Sequence, residues 1–286
     1  MNDKKEVHMY EGISSTYEEA SIVICGIPFD GTCSNRPGTR FGPLELRKEI
    51  DGLETYSPYQ NKDLEDYTIC DIGDVDLPIG NTKKAMEEIY TFVSEILEDK
   101  KKVLSIGGEH LVSYPVIKAY LKHFPDLNIV HLDAHTDLRD TYLGEKLSHA
   151  SVIKRVYDEL VEGEIYQFGI RSGTKAEFEF GRKNTNLHFN TLSGMEKLKE
   201  ILGDKPIYIT LDLDVLDPSI MPGTGTPSPG GQSFNQLLEG LLSLEGLNIV
   251  GADIVELSPH YDSSGVSNVV AAKLLREILL LMETEV

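Results

Sequence analysis

Residues 128–137 read NIVHLDAHTD, an apolar, β-prone run that ends in Asp133, His135 and Asp137. Runs of the same length recur at 21–26, 67–72, 103–106, 165–169, 186–190, 206–211 and 248–254. Helical patterns fill the gaps at 42–51, 83–100, 110–123, 148–161, 174–181, 193–202, 233–243 and 265–283. Strands buried on both faces read as continuous apolar runs, and helices between them make parallel crossovers. Eight such units fit a closed barrel or an open doubly wound sheet. Periodicity does not separate the two, and both place a site at the carboxyl ends of the strands. The last helical stretch, VSNVVAAKLLREILLLM, is apolar enough to pack on a sheet face.

The chain has 286 residues and no low-complexity stretch or polar linker, so a single domain over 1–286 is expected. Net charge is −20. That excess repels nucleic acid and anionic membrane surfaces and suits a small cationic partner. Cys25, Cys33 and Cys70 are odd in number and show no CxxC spacing, which argues against a disulfide framework or a cysteine zinc site. The opening MNDKKEVHMYEG has no apolar run of the kind a secretory leader needs, and a reducing cytoplasm is the default.

Two further runs end like the first. Residues 207–218, IYITLDLDVLDP, end in Asp212 and Asp214. Residues 103–110, VLSIGGEH, end in a Gly-Gly pair and then Glu109 and His110; the glycines would permit a tight turn that aims His110 inward. Alternate residues of an extended chain point the same way, so Asp133, His135 and Asp137 would project on one side. Like charges so crowded need a dication, and mixed imidazole and carboxylate ligands suit Mn, Fe or Zn better than Ca. Four Asp and two His exceed one tetrahedral metal but suit two dications with bridging carboxylates. Two dications roughly 3.5–4 Å apart activate water and clamp an oxyanion.

These segments resemble the ureohydrolase family of arginases and agmatinases, whose motifs are GG[DE]H, DAHxD and DxDxxDP. Here they stand as GGEH at 107–110, DAHTD at 133–137 and DLDVLDP at 212–218. GIPFDGT at 26–32, RPGTRFGP at 36–43, FGIRS at 168–172, PGTGTPSPGG at 222–231 and VELSPHYD at 255–262 also look like family segments, so nearly the whole chain is covered in order. The resemblance implies a three-layer α/β/α fold around a doubly wound, mainly parallel eight-stranded sheet. It implies two Mn ions per chain: one on His110, Asp133, Asp137 and Asp212, the other on His135, Asp133, Asp212 and Asp214. It makes His149, in LSHAS, the proton shuttle and Glu256 the carboxylate that orients the guanidinium. Thr226 would help orient Glu256 or substrate. Asp253 and Asp217 are expected as structural hydrogen bonders, and His131 as pointing away from the metals, in the core or behind a ligand.

The chain also departs from the family. Leu111 follows His110 where Ser is common, and Ser172, Gly173 and Thr174 replace the acidic continuation with which arginases hold the amino-acid part of arginine. The flanking motifs look most like agmatinase, which implies cleavage of agmatine to putrescine and urea by a homo-oligomer, a trimer or hexamer. Guanidinobutyrate, aminopropylagmatine, arginine and formimidoylglutamate are the rival substrates within the class. Glu145 would suit a cationic tail and Arg139 an anionic one, and His260 would lie at the mouth. A single-metal amide deacetylase needs fewer carboxylates, and a non-catalytic binding protein would be marked by a lost ligand; all six are present.

Overall fold

Every expected apolar run becomes a strand. In the computed structural model, which describes residues 10–283 (so that His8 lies outside), the strands are β1 Ile22–Ile27, β2 Ile69–Asp74, β3 Lys102–Gly107, β4 Asn128–Leu132, β5 Ile165–Ile170, β6 Asn186–Phe189, β7 Ile207–Asp212 and β8 Ile249–Val255. They form one sheet in the order β2-β1-β3-β8-β7-β4-β5-β6. Every neighbouring pair is parallel. The sheet is therefore open, and the doubly wound alternative is the correct one.

Alternation along the strands explains the layers. Ile22 and Ile24 of β1 face a core shared with α1 (Gly42–Ile50), α6 (Leu198–Leu202), α7 (Phe234–Leu242) and α8 (Val266–Met282). Val23, Cys25 and Ile27 face the opposite core, shared with α2 (Thr82–Glu98), α3 (Ser113–His123) and α4 (Val152–Glu159). Phe180 of α5 (Lys175–Asn184) packs partly buried on that same side. Both strand faces are thus covered, which is why the runs lack polar alternation.

One element has no counterpart in the sequence pattern. Tyr56–Ser57 and Lys62–Asp63 make a two-residue antiparallel hairpin. Ser57 Oγ and Gln60 Nε2 donate to the buried Glu277 on α8, at 2.7 and 2.9 Å, and Arg276 balances that carboxylate. The hairpin is held by polar contacts rather than by an apolar stripe.

The path of the chain positions the site. From β3 the chain crosses to β4, and β8 and β7 later fill the space between them. The carboxyl ends of β3, β8, β7 and β4 consequently surround one crevice, where open parallel sheets bind ligands.

Candidate metal centre

Six expected side chains meet in this crevice, but three, His110, Asp137 and Asp214, arrive by local geometry other than strand alternation. β4 ends at Leu132, so Asp133, His135 and Asp137 lie in the loop beyond it. Asp137 turns inward because its backbone is left-handed, φ 51°. Asp212 closes β7, and Asp214 sits in the 3-10 turn Leu213–Val215, where its backbone N–H donates to the capping Asp212 carboxylate at 2.8 Å. Gly107 and Gly108 do not make a positive-φ turn. A Cβ on Gly108 would lie 1.9 Å from the Phe29 carbonyl oxygen, so glycine is needed there for close approach of the 26–32 loop.

Two half-sites share Asp133. His110 Nδ1 faces Asp133 Oδ2 at 3.1 Å, Asp137 Oδ2 at 3.2 Å and Asp212 Oδ2 at 3.3 Å. His135 Nδ1 lies 2.9 Å from Asp214 Oδ2 and 3.5 Å from Asp133 Oδ1. His110 Nδ1 is buried yet makes no hydrogen bond. Its tautomer follows from its other nitrogen. Thr210 Oγ1 gives its proton to Asp253 Oδ1 at 2.7 Å, so it accepts from His110 Nε2–H at 2.9 Å. Nδ1 is left aimed at three carboxylate oxygens, which, against the effect of burial, raise the His110 pKa well above normal; the metal-free site holds a proton there, and a bound cation takes its place. The donor set therefore fits a pair of divalent ions.

The electrostatics say the same. Burial and the neighbouring Asp133 push Asp137 up to about 7. Burial and Asp214 hold Asp212 well above the usual carboxylate range. Burial and Glu109 push Glu256 up to about 8. Asp133 is the exception: against the effect of burial, its close pairing with His110, His131 and His135 keeps it well below that range.

His131 takes the second of its expected places, behind a ligand, with its ring turned toward Asp133. Gln167 gives one amide N–H to the Thr136 carbonyl and another to His131 Nδ1, at 2.9 and 3.0 Å. His131 Nε2–H then donates to Asp133 Oδ2 at 2.8 Å, backing that carboxylate from behind. Thr226 Oγ1 bonds Asp214 Oδ2 at 3.3 Å and not Glu256. Asp253 bonds Thr210 and Tyr208. Asp217 accepts from Ser219, Gly230 and Gly231 and pins the loop after β7.

Outside the half-sites lies a cavity of about 310 Å³ whose wall includes His149, Glu256, Thr226, Arg139, Tyr142 and Glu177. Glu256 ends β8 with φ 67°, strain of roughly 1–3 kcal/mol that directs its carboxylate inward. Its Oε1 accepts the His110 backbone N–H at 3.0 Å. Arg139 stacks 4.7 Å over Tyr142 and reaches Glu177 at 3.3 Å. Glu145 lies in the neighbouring turn, paired with Tyr142 through backbone, and is not part of the wall. His260 packs against Phe41 instead of lining the mouth. Sequence reading gave no role to Thr32, Ser34 and Tyr142. Their only signal was position, Thr32 at the end of GIPFDGT.

Fold and site together define a hydrolase with a paired-cation centre at the strand ends of a doubly wound sheet. The arginase family description matches residues 20–281, and the chain belongs to that family, whose members are binuclear-metal hydrolases acting on guanidino groups. It is 46% identical over 270 residues to an agmatinase of Bacillus cereus, covering 93% of each chain. It is 35% identical over 281 residues to the mitochondrial guanidino acid hydrolase of Homo sapiens, covering 93% of this chain and 80% of the human one. A crystal structure from Clostridium difficile, 49% identical, superposes with a TM-score of 0.90 over 93% of this chain and 98% of that one.

Proposed function

We propose that this chain hydrolyses agmatine to putrescine and urea at two manganese ions held by His110, Asp133, Asp137, Asp212, His135 and Asp214. The observation that carries the reading is His110 Nδ1, buried and gathered with carboxylate oxygens of Asp133, Asp137 and Asp212 at 3.1–3.3 Å. Asp133 reaches both half-sites, which supports a bridging role. Bound there, paired dications lower the pKa of water and stabilise a developing oxyanion.

The chain's own groups do the rest. Glu256 is a buried carboxylate on the cavity wall, and a guanidinium entering beside it restores the charge that burial suppresses. His149 Nδ1–H donates to the Thr32 carbonyl at 2.8 Å, so Nε2 carries the lone pair. Burial lowers its pKa, so the ring is neutral at pH 7 and ready to take a proton and return it to the leaving amine. The relative named agmatinase supports agmatine as the substrate. Arg139 on the cavity wall favours one second reading, a guanidino acid whose carboxylate tail it would hold.

The test is urea release by the manganese-loaded protein from agmatine, arginine, 4-guanidinobutyrate, 3-guanidinopropionate and aminopropylagmatine, with Asp133→Ala as control. Preference for agmatine, lost in the control, supports the reading. Preference for guanidinobutyrate moves the specificity to the second reading, and no urea from any compound refutes both. The reading extends to a cytoplasmic homo-oligomer, a trimer or hexamer, supplying putrescine for polyamine synthesis. Resemblance to a commonly oligomeric family supports that assembly, and light scattering measures it. Among the described residues no helix is long and apolar enough to cross a membrane.

A further inference from the structure

Glu109 is fully buried and turned toward the 26–32 loop, with His149 Nδ1 3.7 Å from one of its oxygens. Its two oxygens accept the backbone N–H and the hydroxyl of Thr32, each at 2.6 Å. Thr32 in turn holds His149 twice. Its hydroxyl oxygen accepts the His149 backbone N–H at 3.1 Å, and its carbonyl accepts His149 Nδ1–H at 2.8 Å. We propose that Glu109, acting through Thr32, is a positioning residue that locks His149 in the one tautomer and ring orientation whose Nε2 faces the substrate cavity.

With Glu109 ionised, each link has one direction of donation. Ionised, Glu109 only accepts, so the Thr32 hydroxyl proton then points at Glu109 and its lone pairs are free for the His149 N–H. A carbonyl only accepts, so the proton of the ring is on Nδ1. Ser34 Oγ, 3.1 Å from Nε2, marks the exit of the lone pair at the cavity wall. Without Glu109 the hydroxyl can rotate, and both bonds that hold the ring loosen together. Gly108 makes the chain of contacts possible, because the Phe29 carbonyl crosses directly over it and brings Thr32 within reach. The inference rests on His149 being the proton shuttle proposed above.

The experiment is a double-mutant cycle on the manganese-loaded protein with agmatine, using Thr32→Val, Thr32→Ser, Glu109→Gln and His149→Asn, with metal content measured for each. Thr32→Val should lower kcat roughly tenfold or more, a share of what a general acid–base group contributes, with KM nearly unchanged and metal content intact. Thr32→Ser, which keeps the hydroxyl, should recover most of kcat. In the His149→Asn background Thr32→Val should cost nothing further. Glu109→Gln should show the same split more weakly, and it serves if Thr32→Val does not fold. Wild-type kcat in Thr32→Val with His149→Asn inactive overturns the inference alone, as does an additive cycle or a loss of metal in place of kcat. Full activity of His149→Asn overturns the shuttle reading, and the inference falls with it.

Discussion

Two groups of carboxylates, each with buried members, sit on or beyond the strands of this sheet, and the chain completes only one of them. Asp71 and Asp74 on β2 meet Arg47 of α1, whose Nε and Nη2 grip Asp71 at 2.7 and 2.9 Å while Nη1 reaches Asp74. Asp133, Asp137, Asp212, Asp214 and Glu256, by contrast, have no Lys or Arg within ion-pair distance among the described residues; the four aspartates pair with histidines, and Glu256 accepts a backbone N–H. A buried charge needs a partner or it is forced neutral. Arg47 meets that need within the fold. At the other cluster the raised pKa values of Asp137 and Glu256 record that it is unmet, and an incoming cation must supply it.

Breaking each cluster should give opposite results. Asp212→Asn should reduce urea release by about 10³-fold or more, the equivalent of about 4 kcal/mol of transition-state stabilisation. Yet the metal-free variant should unfold at higher denaturant than metal-free wild type at pH 8, because a repelled carboxylate has gone. Arg47→Met should do the reverse. It strands Asp71 and should cost about 3–5 kcal/mol in denaturant unfolding, with kcat of the folded protein unchanged. Equal destabilisation by both substitutions in metal-free protein would erase the distinction.

Chelation sharpens the comparison through pH. In metal-free protein Asp137 titrates at about 7 and Glu256 at about 8. Unfolded, such groups titrate near 4. Between those values the folded chain holds protons that the unfolded chain has lost, so stability falls as pH rises. Although burial alone would lower them, His110 and His135 are raised well above normal by their carboxylates, and they lose their contribution in the same direction. The metal-free melting temperature should therefore decline from about pH 5 to pH 8. The increase on adding manganese should be larger at pH 8 than at pH 6. A flat metal-free profile would contradict the unmet charge.

The sequence was informative where one physical rule acted alone. All eight strands of the main sheet were legible because burial on both faces leaves an unbroken apolar run. The six converging Asp and His were legible because strand ends and residue type sufficed. What failed needed tertiary information. The left-handed turn at Asp137 is not encoded by alternation. The glycines of GGEH answer to Phe29, distant in sequence, and the hairpin at 56–63 answers to Glu277. His131 was legible as a group behind a ligand, but the nitrogen that faces Asp133 was not, because Gln167 on the next strand decides it.

The smallest expected effect lies behind the metal-facing nitrogen of His110. Thr210 joins Asp253 to His110 Nε2, and Tyr208 holds the other oxygen of Asp253 at 2.8 Å. Thr210→Val keeps the shape of the β7 side chain and removes the acceptor. His110 then has no fixed tautomer, and some of the population presents N–H in place of a lone pair to the carboxylates. Outer hydrogen bonds of this kind change metal affinity by about 10–100-fold. Manganese binding by titration calorimetry should weaken by that amount for the ion beside His110, while the ion beside His135, which shares no hydrogen bond with Thr210, keeps its affinity. Equal weakening at both would mean that the half-sites couple through Asp133 more strongly than Thr210 controls either; unchanged binding at both would mean that the three carboxylates orient His110 without help from the strand behind it.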